Sequence, residues 1–287
     1  MIYSMTGYAV AARELESAVL NLELRAVNHR YLDIQFRMPD ELRGIESVLR
    51  ETLTARLNRG KIECRISYMP IPGRKGLDLD EDLLKQLVML NARVRTALPD
   101  AQSVTAADVL RWPGILGTES LDVDAMRQVC LSLLEQVLED FTLTRGREGE
   151  KLKAILLERA AAVEARLEDV APRMPAVIAA FQEKLATRLR EALGNADEDR
   201  IRQELVLLAN KIDVDEELTR LTTHIAELRR ILDKGGAVGK RLDFLMQELN
   251  REANTLGSKA ADVTVTQVSM ELKLLIEQMR EQIQNIE

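Results

Sequence analysis

The chain is poor in the residues that most often announce a function. It has two cysteines, two histidines and one tryptophan among 287 residues, and aromatics make up only 3%. Cys64 and Cys130 lie far apart with no CxxC spacing. That argues against a disulfide scaffold and against a cysteine zinc site, and it fits two thiols in a reducing compartment. No stretch approaches the roughly 18 apolar residues of a membrane span. The opening MIYSMTGYAVAARELES has no basic start followed by an apolar run, so a signal peptide is not expected and the protein is expected to be cytoplasmic. No repeat period and no low-complexity tract is present. Net positive charge is also missing: the formal charge is −7 and the pI about 5.2. This speaks against a nonspecific polycationic nucleic-acid coat, but it leaves room for a local basic groove or a carboxylate-rich metal site.

What is present is aliphatic and charged. Hydrophobic residues make up 46%, enough for sizeable cores, and charged residues 30%, which suits long helices with solvated faces. The pattern predicts an α+β protein. Residues 1–76 read as a small mixed domain, 77–121 as a helical connector, 122–196 as a long helical hairpin arm, and 197–287 as a helical C-terminal domain. In the first domain Met1–Val10, Ser17–Val27 and Tyr31–Met38 read as strands, the last two with period-2 alternation. Asn28-His29 reads as a hairpin turn between the second and third. A helix from Pro39-Asp40 to about Asn58 ends near Gly60, and Lys61–Met69 is a further strand. Pro70–Gly76 is a connector, and helix Asp80–Leu98 follows. SVTAADVLRWPGIL starts at a capping Ser or Thr and stops at Pro113-Gly114. Pro172 and Pro175 mark the turn of the long arm. Helices are then expected over Asp197–Leu232 and Val238–Ala253, with a loop at Asn254–Ala261 and a last helix from Asp262 onward. The Leu and Phe residues of LDFLMQELNREANTLGSK should face the core. Ile283 and Ile286 suggest that the end of the chain is docked.

Two polar stripes could carry chemistry. In ELVLLANKIDVDEELTRLTTH, Asp213, Glu217, Arg220 and His224 are spaced four, three and four apart, on one side of a helix. The acids, with Glu216, could hold a hard cation. Arg220 could neutralise a phosphate, and His224 could act as acid or base near neutrality. In the second stripe Glu248 and Glu252 are one turn apart, interleaved with Gln247, Arg251 and Asn254, and Lys259 follows. Amides and arginine form directional hydrogen bonds, whereas a helix needing only solubility would favour Lys and Glu. The competing interpretation of both stripes is a solvated face laced with i,i+4 ion pairs. A third set, Lys273, Glu277 and Arg280, lies on the last helix.

The N-terminal domain carries its basic charge mainly as arginine. Arg25, His29 and Arg30 bracket the proposed turn, and Arg59 and Lys61 sit where helix meets strand. Arginine suits bidentate phosphate contacts, so these residues are candidates for RNA binding. A surface balanced by Asp and Glu is the alternative. No aromatic pattern of the kind that stacks bases is evident there.

The segments SMTGY, VNHRYLDIQFRMP, RGKIE, WPGIL and REGEKL resemble the N-terminal half of the YicC/YloC family of bacterial proteins. QELVLLANKIDVDEELTRLTTH, GKRLDFLMQELNREANTLGSK and ELKLLIEQMREQIQNIE resemble its C-terminal half more specifically. The resemblance implies an endoribonuclease that cleaves single-stranded RNA with Mn²⁺ or Mg²⁺. It also implies a homo-oligomer, a hexamer, and a role in RNA turnover that includes small regulatory RNA and contact with other RNA-degradation enzymes. Applied to the two stripes, this gives Asp213, Glu216, Glu217, Glu248 and Glu252 as metal ligands. His224 would be a proton shuttle, Glu248, Glu252 and Arg251 further catalytic groups, and Arg220, Arg251 and Lys259 phosphate contacts. Gln247 and Asn254 would orient ligands or ribose. An RNA-binding adaptor serving a separate ribonuclease is the rival reading.

Overall fold

The computed structural model describes residues 1–15, 18–71, 78–117, 123–193 and 213–287. Strands β1 (Gly7–Glu14), β2 (Ala18–Val27), β3 (Leu32–Arg37) and β4 (Gly60–Pro70) form one sheet in the order β1-β2-β4-β3. β1 and β2 are antiparallel, β2 and β4 are antiparallel, and β3 is parallel to β4. A 3-10 turn (Asp40–Ile45) and helix α1 (Glu46–Arg56) make the crossover from β3 to β4. The alternation seen in the sequence is real: Leu20, Leu22 and Leu24 of β2 are fully buried.

The expected hairpin at Asn28-His29 is not there. β4 lies between β2 and β3, so residues 28–31 cross an intervening strand. Two strand spacings, about 10 Å, are within reach of such a short linker. The reason is the α1 crossover: it makes β3 parallel to β4, and β2 takes the other edge of β4. The tight hairpin joins β1 to β2 instead, with Leu15 N–H donating to the Ala18 carbonyl. The first strand also begins later than expected, because residues 1–6 leave the sheet domain altogether.

A two-stranded ribbon, β5 (Asp78–Leu79) and β6 (Leu116–Gly117), closes off helices α2 (Glu81–Ala97) and α3 (Ala106–Leu110). Asp80 caps α2, and Thr105 with Asp108 forms a reciprocal capping box on α3. Neither helix buries a single side chain. Helix α4 (Val123–Val170) has 48 residues, so it is about 72 Å long. A 3-10 turn holding Pro172 leads into α5 (Met174–Leu193), whose main contacts are with that turn rather than along α4. The C-terminal domain is α6 (Asp215–Lys234), α7 (Gly239–Lys259) and α8 (Val263–Ile283). The part of the expected Asp197–Leu232 helix before Asp213 lies outside the described residues.

Two cores flank α4. Cys130, Leu133, Leu134, Val137 and Phe141 pack on the sheet and α1. Leu152, Leu156, Ala160, Val163 and Leu167 pack on α6, α7 and α8. Burial pushes the Cys64 thiol up to about 12, with Cys130 adding to the effect, and pushes Cys130 up to about 11. Both thiols are therefore core residues and poor nucleophiles.

Between the cores the start of the chain crosses α4. Ser4 N–H donates to the Arg145 carbonyl (3.0 Å), and Arg145 Nε donates to the Ser4 carbonyl (2.5 Å). Arg145 also pairs with Glu287. Met5 N–H donates to Asn285, Glu287 N–H to Tyr3, and Gly236 N–H to Met1. Ile2 and Ile286 are fully buried, so the last residues are docked, as Ile283 and Ile286 suggested. This clasp joins the sheet domain to the α6–α7 turn, where Gly235 and Gly236 have φ of 66° and 91°.

The expected loop at Asn254–Ala261 is also absent up to Lys259, because α7 continues to that residue. Gly257 is not a helix stop. A Cβ there would lie 2.5 Å from Ser269 Oγ, so glycine lets α7 approach α8 closely. Leu256 beside it is fully buried, and that packing outweighs the low helix propensity of Asn and Gly.

Candidate active site

Helices α6 and α7 lie side by side because each has an apolar stripe at helical spacing. Leu221, Ile225 and Leu228 meet Leu242, Leu249 and Leu256 in the C-terminal core. Charged links fix α6 against its neighbours. Arg229 holds Glu164 of α4 with two bonds of 2.9 and 2.7 Å, and Glu227 pairs with Arg230 on α6 itself and with Arg241 of α7. Glu164 raises the Arg229 guanidinium, and Arg230 first, then Arg241, lowers Glu227.

Above the apolar seam the two polar stripes face each other. Ligand atoms of His224, Glu248 and Glu252 all lie within 4.8 Å of one another. His224 and Glu248 are half-buried and have no hydrogen-bond or ion-pair partner among the described residues. Glu252 is 4% exposed and accepts from Arg220 NH1 at 3.3 Å. Arg220 NH2 donates to Glu216 at 2.5 Å. The guanidinium is thus shared by a buried carboxylate and an exposed one. Both raise its pKa, Glu252 through the hydrogen bond and Glu216 through its charge.

The remaining candidates sit elsewhere on this surface. Lys259 Nζ donates to Glu217 Oε1 (2.9 Å) and to the Asp213 carbonyl (3.0 Å), pinning the end of α7 to the start of α6. Glu217 is 5% exposed, and its Oε2 is buried with no hydrogen-bond partner. The Asp213 carboxylate accepts from Asp215 N–H at 3.1 Å. So Glu248 and Glu252 come together, and His224, expected as a proton shuttle, joins them. Asp213, Glu216 and Glu217 lie outside that cluster, held by a turn, by Arg220 and by Lys259. Arg251 is exposed and unpaired among the described residues. Gln247 donates to Asp243 (3.0 Å) and Asn254 to Asn250 (2.8 Å). No local pattern signals that Arg220 pairs with Glu252, because that contact joins residues 32 positions apart.

The N-terminal candidates are distributed differently. Arg25 lies on the solvent face of the sheet opposite Glu63, while Glu23 lies opposite Arg65. Arg37 pairs with Glu63 at 2.7 Å. These five residues line a shallow cavity of about 260 Å³ with alternating charge. Lys61 is in register with Val27 and Asp33. Arg59 Nε donates to the His29 carbonyl at 2.9 Å, His29 Nδ1 lies 3.0 Å from the Tyr31 carbonyl, and the Arg30 guanidinium is 5.3 Å from the Tyr31 ring centre. Asn28 reaches the Gln284 carbonyl at 2.7 Å, which brings this turn to the end of α8.

Comparison with known proteins agrees with this two-part arrangement. Residues 2–154 match the family model described as the N-terminal region of YicC-like endoribonuclease, and residues 170–287 match the C-terminal one. This chain belongs to the YicC-like endoribonuclease family. It is similar to a probable endoribonuclease YicC of Haemophilus influenzae, at 43% identity over 288 residues covering 100% of both chains. It is also similar to a probable endoribonuclease YicC of Clostridioides difficile, at 30% identity over 296 residues, again covering 100% of both chains. No helix among the described residues is long and apolar enough to cross a membrane.

Proposed function

We propose that the α6–α7 surface is the active site of a metal-dependent endoribonuclease acting on single-stranded RNA. The observation that carries this reading is the cluster of His224, Glu248 and Glu252, with ligand atoms within 4.8 Å of one another. One nitrogen and two carboxylate oxygens suit Mn²⁺, and Mg²⁺ less closely. Two of these side chains have no other partner among the described residues, so nothing must be displaced from them. A bound ion would supply a polarised phosphoryl oxygen or an activated water. Around it, Arg220 and Arg251 would hold phosphate. His224, close enough to both acids to share the ion through its neutral imidazole, would serve as a ligand rather than a proton carrier. Lys259 would keep the two helices in register. The family names support RNA as the substrate, and turnover of RNA, including small regulatory RNA, in the cytoplasm is the cellular role we assign. The two buried thiols fit a reducing compartment.

Metal removal tests this directly. Protein purified free of other nucleases should cut a single-stranded oligoribonucleotide in Mn²⁺, stop in EDTA, and recover when Mn²⁺ is returned. Cleavage that persists in EDTA would remove the metal from the mechanism. No cleavage with any divalent cation would favour the adaptor reading.

The same reading includes a homo-oligomer, with six copies expected. Its support is the α2–α3 insertion. Val88, Met89, Leu90, Val94 and Leu98 are 50–62% exposed, and Leu110 and Trp112 are exposed nearby. An apolar surface of this kind marks a protein contact. Replacing Met89 and Leu98 together by Glu should lower the sedimenting mass to that of a monomer, with the helical circular dichroism retained. An unchanged mass would place the subunit contact elsewhere.

A further inference from the structure

Phe244 was expected in the core, yet it is 62% exposed. α7 turns Leu242, Leu245, Met246, Leu249, Ala253 and Leu256 inward. On one flank Arg241, Glu252 and Lys259 reach α6, and on the other Asp243 reaches Arg280 of α8. Phe244 projects between these flanks into solvent. Glu248 and Arg251 follow it at four and seven residues on the same outward side, which places them about 6 and 10 Å further along the helix axis. One turn before it is Lys240, exposed and, like Arg251, without an ion-pair partner among the described residues. The outward line of α7 therefore reads cation, aromatic ring, candidate metal ligand, cation.

This combination has a specific chemical use. Single-stranded RNA offers phosphates to unpaired cations and unpaired bases to exposed rings. In a chain with 3% aromatics, the other exposed rings are placed differently. The Tyr31 ring already has the Arg30 guanidinium beside it, and Tyr8 and Trp112 lie in the N-terminal half, on β1 and just after α3. Phe244 alone of these stands one helical turn from the His224–Glu248–Glu252 cluster. We propose that Phe244 is the base-stacking residue of the substrate site, holding one nucleobase of the RNA strand whose phosphate lies at Glu248 and Arg251. The inference rests on the cleavage site being at this surface, and it deepens that reading. Every base has a π face, so the contact is tolerant of sequence. It requires an unpaired base, so it selects single strands over duplex.

The test is RNA binding by the full-length protein, read as fluorescence anisotropy of a labelled single-stranded oligoribonucleotide in EDTA. Phe244→Ala should weaken binding by about ten- to a hundredfold. Phe244→Leu, apolar but without a π face, should weaken it nearly as much, and Phe244→Tyr should retain it. A single abasic nucleotide should cost the wild type affinity at one position and cost Phe244→Ala nothing further there. The residue is exposed and alanine is the better helix former, so the variant should fold. Wild-type affinity in Phe244→Ala or in Phe244→Leu overturns the proposal. So does a loss of binding that accompanies a fall in sedimenting mass, which would make Phe244 a subunit contact. The cleavage-site reading is judged separately, by the cleavage rate of Glu248→Gln. If that variant is inactive while Phe244→Ala binds normally, stacking alone fails. If Glu248→Gln cuts normally, the site itself is misplaced.

Discussion

Glu248→Gln should reduce RNA cleavage by about a thousandfold while leaving the melting temperature unchanged. Both halves of this expectation come from the same observation. Glu248 is half-buried and has no partner among the described residues, so its charge contributes little to folding. Substitutions away from cores and networks usually change stability by no more than about 0.5 kcal/mol. The amide keeps the shape of the side chain but removes the anionic oxygen that a divalent cation requires. Lewis-acid stabilisation of a phosphoryl transition state supplies several kcal/mol, and about 4 kcal/mol corresponds to a factor of about 10³. Glu252→Gln should be as inactive but less clean, because Glu252 is buried and bonded to Arg220. Glu216→Gln, on the solvent side of Arg220, should cost less than about tenfold, the lower end for a group acting through another. Cleavage kinetics and a thermal melt on the same preparations check all three. A Glu248→Gln enzyme within threefold of wild type would move the chemistry away from this cluster. A variant that binds RNA normally but does not cut it would separate catalysis from the adaptor role.

The second large effect is on folding. Gly149→Ala should lower stability by roughly 4 kcal/mol, although alanine is the better helix former. A Cβ at Gly149 would lie 2.0 Å from the Ile2 carbonyl oxygen and 2.6 Å from its carbon, both backbone atoms that cannot rotate away. The N-terminal segment must then leave α4. Undocking exposes Ile2, worth about 1.5–3 kcal/mol, and breaks backbone bonds to α4 and to the C-terminal residues, worth about 1 kcal/mol each. It also strips Arg145, 6% exposed, of its Ser4 acceptor. For a chain this long the loss corresponds to a fall of about 10 °C in melting temperature. Gly44→Ala is the control: a Cβ there has nothing within 4 Å, so its melting temperature should not fall. Equal melting temperatures for the two variants would show that the crossing at Gly149 is not a structural constraint.

The difference between these two glycines is one that no local pattern carries. Gly44 and Gly149 look alike in sequence; only the segment lying across α4 separates them. The loop expected at Asn254–Ala261 was misread for the same reason, since the close approach of Gly257 to Ser269 is a contact between two helices. The β2–β3 hairpin was misread because strand order depends on the α1 crossover, not on the short linker. By contrast, the strand alternation of β2 and β3, the Ser or Thr cap in SVTAADVLRWPGIL, found at Thr105, and the break at Pro113-Gly114 were all legible. Each is decided within a few residues.

The candidate site divides in the same way. The amino-acid sequence by itself determined the α+β class, the family, and the two polar stripes, because helical periodicity and residue chemistry are local properties. Only the tertiary structure decided which members of the stripes meet. Packing of the apolar seams of α6 and α7 sets the rotation of each helix. That rotation puts His224 beside Glu248 and Glu252, commits Glu217 to Lys259 and Glu252 to Arg220, and turns Phe244 outward. Side chains 24 and more residues apart become neighbours through the burial of leucines and isoleucines they never touch in sequence, and no spacing rule within one helix can report the angle at which a second helix will face it.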